Sequence, residues 1–254
     1  MLKFSAANAK THALAAVPSL AAFLAGKRKI YSLDLLSGFS CPFAHECLSK
    51  AVVTNGKRSI KDGPHTKFRC FSASQEVQYT NVYNSRKHNF DSLRACDTAG
   101  QMAQLIADSM PNNLGICRIH VAGDFFNQRY FDAWLQVAKH NPDRLFYAYT
   151  KSLRFWLHRR SLVNKCDNFV LTASYGGRDD SLIAKRKLRY AKVVFSEAEA
   201  GSLAIDHDDS HAANPDSQRE SFALLLHGTQ PKGSEASVAL RDLKGIGSYS
   251  RKKG

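Results

Sequence analysis

Apolar residues in this chain gather in short continuous runs, each closed by small or polar residues and followed by a stretch with helical spacing. The runs are Ile30 to Leu36, Phe68 to Phe71, Cys117 to Val121, Leu145 to Tyr149, Phe169 to Thr172, Lys192 to Phe195 and Phe222 to Leu226. Continuous rather than alternating apolar runs predict strands buried on both faces, as in parallel sheets. The clearest helix spans Gln128 to Lys139, where Tyr130, Phe131, Trp134, Leu135 and Ala138 share one face; Gly100 to Met110 and Phe155 to Leu162 read as helices too. Seven strand-to-helix units within one domain's length predict an α/β protein, a single-domain (β/α) barrel over residues 1–245, closed or partly open, with parallel strands. A doubly wound sheet is the competing architecture, but no Gly-x-Gly-x-x-Gly follows the first strand. Residues 1–27 read as an N-terminal amphipathic helix and residues 246–254 as a basic flexible tail.

Parallel α/β proteins collect functional groups on the loops after the carboxyl ends of their strands. Cys41 and Cys47 follow the first run, and Cys70 sits in or at the end of the second. His120 and Asp124 close the third, Lys151 the fourth, and Arg178 follows Gly176-Gly177 after the fifth. His120, Asp124, Lys151 and Arg178 are therefore the candidates for substrate contact and proton handling.

Thiolates select zinc, copper(I) or iron–sulfur clusters over hard cations. The gaps of five and twenty-two residues among Cys41, Cys47 and Cys70 lack the second short pair of a closed zinc site. Three thiolates without a fourth point to a [4Fe-4S] cluster with one iron open, while zinc with three thiolates and a His remains an alternative. Cys96, Cys117 and Cys166 are scattered and read as structural. In the loop 206–211, Asp206, His207, Asp208 and His211 form a candidate second site for magnesium or manganese, and together with Asp209 suggest a metal-dependent nuclease. Its competing reading is a solvated loop with capping aspartates.

Composition narrows the partners. Thirty-six Lys and Arg against 22 Asp and Glu give a formal charge of +14, which points to DNA or RNA, or to an acidic face of a host protein. Apolar content of 44% describes an ordinary globular chain, and the longest apolar stretch, Ala13 to Ala25, is too short to span a bilayer. With Lys27-Arg28-Lys29 leading straight into a strand, a secretory signal is disfavoured and a cytoplasmic location expected.

Several stretches are specific enough to resemble a family: Ser37 to Cys47, Lys67 to Ser74, Arg118 to Phe126, Phe146 to Ser152, Leu171 to Arg178, Asp206 to His211 and His227 to Glu235. Together they resemble the phage "gene product 88"-like family over about residues 28–245. The resemblance implies a phage-encoded protein working in a bacterial cytoplasm and implies no particular reaction. Three cysteines on a barrel are also similar in architecture to radical-SAM enzymes. The spacing departs from their Cys-x(3)-Cys-x(2)-Cys pattern and no glycine-rich motif follows the second run, which argues against S-adenosylmethionine. Two classes stay open: an enzyme built on the strand-end rim, radical or hydrolytic, and a non-enzymatic basic binder with a structural cluster or zinc.

Overall fold

The computed structural model describes residues 1–217 and 220–243. The strands are β1 (Phe4–Ala6), β2 (Lys29–Leu33), β3 (Ser49–Thr54), β4 (Lys57–Asp62), β5 (Leu114–Ile119), β6 (Leu145–Thr150), β7 (Phe169–Ser174), β8 (Tyr190–Val194), β9 (Ala204–Ile205) and β10 (Phe222–Leu225). The helices are α1 (Ala9–His12), α2 (Ala21–Leu24), α3 (Phe71–Gln78), α4 (Thr80–Arg94), α5 (Ala99–Ser109), α6 (Gln128–His140), α7 (Leu153–His158), α8 (Arg160–Val163), α9 (Ser181–Arg186), α10 (Glu197–Ala200), α11 (Ser210–Ala213) and α12 (Glu235–Asp242).

Eight strands form one mixed but mostly parallel sheet in the order β1-β2-β5-β6-β7-β8-β10-β9, with β1 antiparallel to β2. The central strands follow chain order because each is linked to the next by a helical crossover, which keeps consecutive parallel strands adjacent. Alternation along the strands splits the core in two. Cys117, Ile119, Phe146, Ala148, Leu171 and Ala173 face helices α4, α5 and α6, where Phe131 and Trp134 are fully buried. Ile30, Ile116, Leu145, Tyr147, Val170 and Phe222 face the opposite way, onto Leu14, Leu20 and α11.

Two expectations change. Residues 1–27 do not form one helix: β1 pairs with β2, and short turns at Ala13–Ala16 and Pro18–Leu20 set Leu14 and Leu20 into the core. Pro18 takes the first position of its turn, where its missing N–H costs nothing. Phe68 to Phe71 is no strand, since Phe68 stacks edge-on against Phe195 at 6.3 Å and Phe71 starts α3. A β3–β4 hairpin stands before it instead, turning through Asn55 and Gly56, both at positive φ, as a two-residue hairpin loop requires. The basic tail at 246–254 lies outside the described residues.

Candidate functional site

The carboxyl ends of β2, β6 and β7 bring three loops together. After β2 the chain turns through Ser37 to Ser40, and Gly38, at φ +70°, leaves no room for a Cβ, which would lie 2.5 Å from the Ser49 carbonyl oxygen. The Cys41–Cys47 loop is then stitched to the loop after β7. The N–H groups of His45 and Glu46 donate to the Gly176 carbonyl at 3.1 and 3.0 Å, and Arg178 N–H donates to the Phe43 carbonyl at 2.9 Å. Asp180 closes that second loop by accepting from the N–H groups of Gly176 and Gly177 at 2.8 and 2.9 Å.

Cys70 caps the N-terminus of α3, and the hairpin fixes its backbone. Its N–H donates to Ser49 Oγ at 3.2 Å, Ser49 Oγ donates to Asp62 Oδ1 at 2.8 Å, and Arg69 binds Asp62 at 2.6 Å. Glu76 ties the two cysteine-bearing segments together, accepting from Ser37 N–H and Oγ at 3.0 and 2.7 Å and pairing with Arg86 at 3.2 Å.

Cys41, Cys47 and Cys70 are free and half-buried. Burial is the main cause that raises the Cys41 thiol well above its ordinary pKa, followed by the charges of Asp124, Cys70 and Cys47. Burial also raises Cys70, with Cys47 next, while the N–H groups of Ala73 and Ser72 pull the other way. The three sulfurs therefore stand within electrostatic reach of one another, where their thiolates would repel without a cation among them. Among the described residues, no group of three or more His, Cys, Asp and Glu side chains converges to hold a metal ion. The other cysteines lie apart: Cys117 is buried on the helix face, Cys96 Sγ contacts the Ser92 carbonyl at 3.6 Å, and Cys166 Sγ contacts Asn168 Oδ1 at 3.2 Å.

Asp124 joins the rim beside Cys41. It is buried and accepts from Thr150 Oγ1 at 2.6 Å, Phe125 N–H at 2.7 Å and Lys151 N–H at 2.8 Å; burial raises its pKa and these bonds oppose the rise. Gly123, at φ +97°, packs so closely that a Cβ would sit 2.6 Å from Ser40 Oγ, so the Asp124 loop and the cysteine loop touch. Lys151 is buried and reaches Ser174 Oγ at 2.6 Å. Arg178 contributes its backbone to the loop and leaves its side chain exposed.

His120 goes elsewhere. Its backbone is left-handed at φ +71°, and its ring packs against Phe125 and Tyr130, with Nε2 3.0 Å from the Tyr130 hydroxyl. Burial pushes its pKa down to about 3, so the imidazole is neutral within the helix-face core.

The acidic loop turns its carboxylates inward. Asp206 accepts from Asp208 N–H and Ala212 N–H, both at 3.2 Å, and Asp208 accepts from Ser210 N–H at 3.0 Å. His207 is exposed, and the His211 ring lies tilted against Phe222 at 5.7 Å. The capping alternative therefore describes this loop better than a metal site, because Asp206 and Asp208 are committed to backbone N–H groups.

Sequence reasoning missed what Asp209 does. Fully buried, it binds Arg118 at 2.5 Å and Lys10 at 3.0 Å and accepts from the hydroxyls of Tyr147 and Tyr149 at 3.0 and 3.1 Å. Arg118 and Lys10, the largest influences opposing its burial, hold its carboxyl down at about 2. No local signal identifies such a hub, since its four partners come from α1, β5 and β6. Glu76 was equally invisible, as it lies in an unremarkable helical stretch.

An α/β protein that carries a three-thiol cluster of loops at the carboxyl edge of a mostly parallel sheet is the class these features define. The chain belongs to the Gene product 88 family, whose model matches residues 2–243. It is 28% identical over 137 residues to the Gene 88 protein of Mycobacterium phage L5, an alignment that covers 50% of each chain. The chain thus spans about half the length of the curated relative it matches. No solved structure matches. Among the described residues no helix is long and apolar enough to cross a membrane.

Proposed function

We propose that Cys41, Cys47 and Cys70 bind an iron–sulfur cluster, of the [4Fe-4S] type with one iron left open, at the strand-end rim of an open (β/α) barrel. The observation that carries this reading is three free thiols from two segments within electrostatic reach, Cys70 and Cys47 opposing ionisation of Cys41 and Cys47 opposing that of Cys70, beside Asp124. A cubane spreads its thiolates over separate corners, so three cysteine ligands need not share one ion. The N–H groups of Gly38, Ser72 and Ala73 that favour the Cys41 and Cys70 thiolates are the kind of donor that tunes cluster sulfurs. Chain order from β2 through β8 supports the open-barrel architecture. In this reading the protein works in the cytoplasm of the phage's host.

Individual replacement of Cys41, Cys47 and Cys70 by Ala is the direct test of the ligand set. Each is expected to strip most of the iron and sulfide from anaerobically purified protein, while Cys96→Ala retains them. Unchanged iron in all three variants removes the assignment.

The +14 charge supports an anionic macromolecular partner, DNA or RNA. Arg154 and Arg159 are paired with Asp179 and Asp132, whereas Lys185, Arg186 and Lys187 stand exposed around the end of α9. Binding of a labelled oligonucleotide, followed by fluorescence anisotropy, is expected to weaken steeply with salt and with neutralisation of those three residues. No binding at low salt contradicts this part of the reading.

A further inference from the structure

The β3–β4 hairpin breaks the strand-to-helix pattern, and its two faces differ in kind. Register puts Ser49 and Asp62, Ala51 and Ile60, and Val53 and Arg58 on one face. That face packs inward: Ser49 and Ala51 are buried, and Arg58 donates to the Val77 carbonyl and lies 5.3 Å from the Tyr83 ring. The other face pairs Lys50 with Lys61, Val52 with Ser59 and Thr54 with Lys57. It is turned to solvent, with Thr54, Lys57, Ser59 and Lys61 exposed.

Lys50 and Lys61 stand directly opposite each other, where β-carbons are about 5 Å apart and like charges destabilise the pair. The one acid of the hairpin, Asp62, belongs to the inner face and is held by Ser49 and Arg69. Among the described residues, lysine ion pairs are made by Lys10, Lys67, Lys87 and Lys192, and by none of Lys50, Lys57 and Lys61. The Lys50 ammonium lies instead 5.0 Å over the ring of Phe39, a side chain left 43% exposed. An uncompensated like-charge pair is a local conflict of the sort that binding surfaces retain.

Shape and charge select the partner. A two-stranded ribbon fits the major groove of B-form DNA, about 12 Å wide. The major groove of duplex RNA is too deep and narrow for side chains to read. Lys57 and Lys61 are separated by about 13 Å of strand, enough to spread their charge over more than one phosphate.

We propose that the outer face of this hairpin binds duplex DNA, seated along the major groove with Lys50, Lys57 and Lys61 on the flanking phosphates. The inference rests on the anionic partner proposed above and names its form and its place on the fold. Contacts to phosphates position the protein without reading sequence.

Fluorescence anisotropy of a short labelled DNA duplex, titrated with the full chain over a range of salt, tests this. The triple variant Lys50→Gln, Lys57→Gln, Lys61→Gln is expected to bind about tenfold more weakly or worse. Its slope of log affinity against log salt should be shallower by about three. Arg at the same three positions should retain both quantities. A control triple variant, Lys29→Gln, Lys139→Gln, Lys165→Gln, alters exposed lysines near the amino ends of β2, β6 and β7 and should stay close to wild type. Melting temperatures show that each variant is folded, and the hairpin Gln variant should melt no lower than wild type because the Lys50–Lys61 repulsion is gone. If the wild-type chain binds no duplex at low salt, the anionic-partner reading falls and this inference with it. If wild type binds but the two Gln variants behave alike, or duplex RNA of the same sequence binds as tightly as DNA, that reading stands and this inference is overturned.

Discussion

Replacing Asp209 by Ala is expected to lower folding stability by about 3–5 kcal/mol, the usual consequence of removing one partner from a buried ion pair. The carboxylate is fully buried between Lys10 and Arg118, and its loss would take this countercharge from both cations and an acceptor from the hydroxyls of Tyr147 and Tyr149. The effect reaches across the fold, because Lys10 belongs to α1, Arg118 to β5 and the tyrosines to β6. Urea unfolding followed by circular dichroism measures the loss. Adding Arg118→Met to Asp209→Ala should recover part of it by removing one of the two cations that lost this countercharge. A midpoint within experimental error of wild type in Asp209→Ala would show that the hub carries no net stability.

The second large effect is acid sensitivity that begins well above the carboxylate range. Buried His120 is held down from 6.5 to about 3, so between these values the unfolded chain takes up a proton that the folded chain refuses. The stability this group contributes is full above pH 6.5 and falls as pH drops towards 3, by on the order of 4–5 kcal/mol in total. Burial also lowers His227, to about 4, which adds in the same direction over an overlapping window. Asp209 joins later: held from 3.8 down to about 2, it loses its contribution of about 2 kcal/mol only below pH 4. His120→Asn keeps a residue that tolerates positive φ and removes the titration. Across pH 6 to 4 it should reduce the slope of stability against pH by about 1.4 kcal/mol per unit. An unchanged slope would mean that His120 titrates normally in the folded protein.

Much of the sheet is legible in the chain. Leu145 to Tyr149 and Phe169 to Thr172 read as buried strands because both of their faces are covered, which leaves no polar alternation to confuse the pattern. Phe68 to Phe71 looks the same in composition, yet its aromatics pack onto Phe195 and His227 beside the site instead of joining a ladder. Helix α4 escapes notice because few apolar residues, Tyr83, Phe90 and Leu93 among them, interrupt a polar run. The β3–β4 hairpin was legible through Asn55-Gly56, but a reading in strand-to-helix units passes over an inserted antiparallel pair.

The site divides in the same way. Cys41, Cys47, Asp124 and Lys151 come together because strand-end loops of a parallel sheet share one edge, a rule that needs no knowledge of side-chain packing, whereas Cys70 arrives from the start of α3, held by the β3–β4 hairpin and not by a strand end. His120 departs because a left-handed residue turns its side chain away from the direction that strand alternation predicts. The loop 206–211 departs because composition reports carboxylates without reporting which backbone N–H groups they cap.

The measurement closest to the central claim is quantification of iron and acid-labile sulfide, with a visible absorption spectrum, on the wild-type chain purified without oxygen. A brown protein holding about four iron and four sulfide per chain is the predicted result. A colourless protein that carries one zinc, or no metal, with its three rim thiols intact would contradict the account.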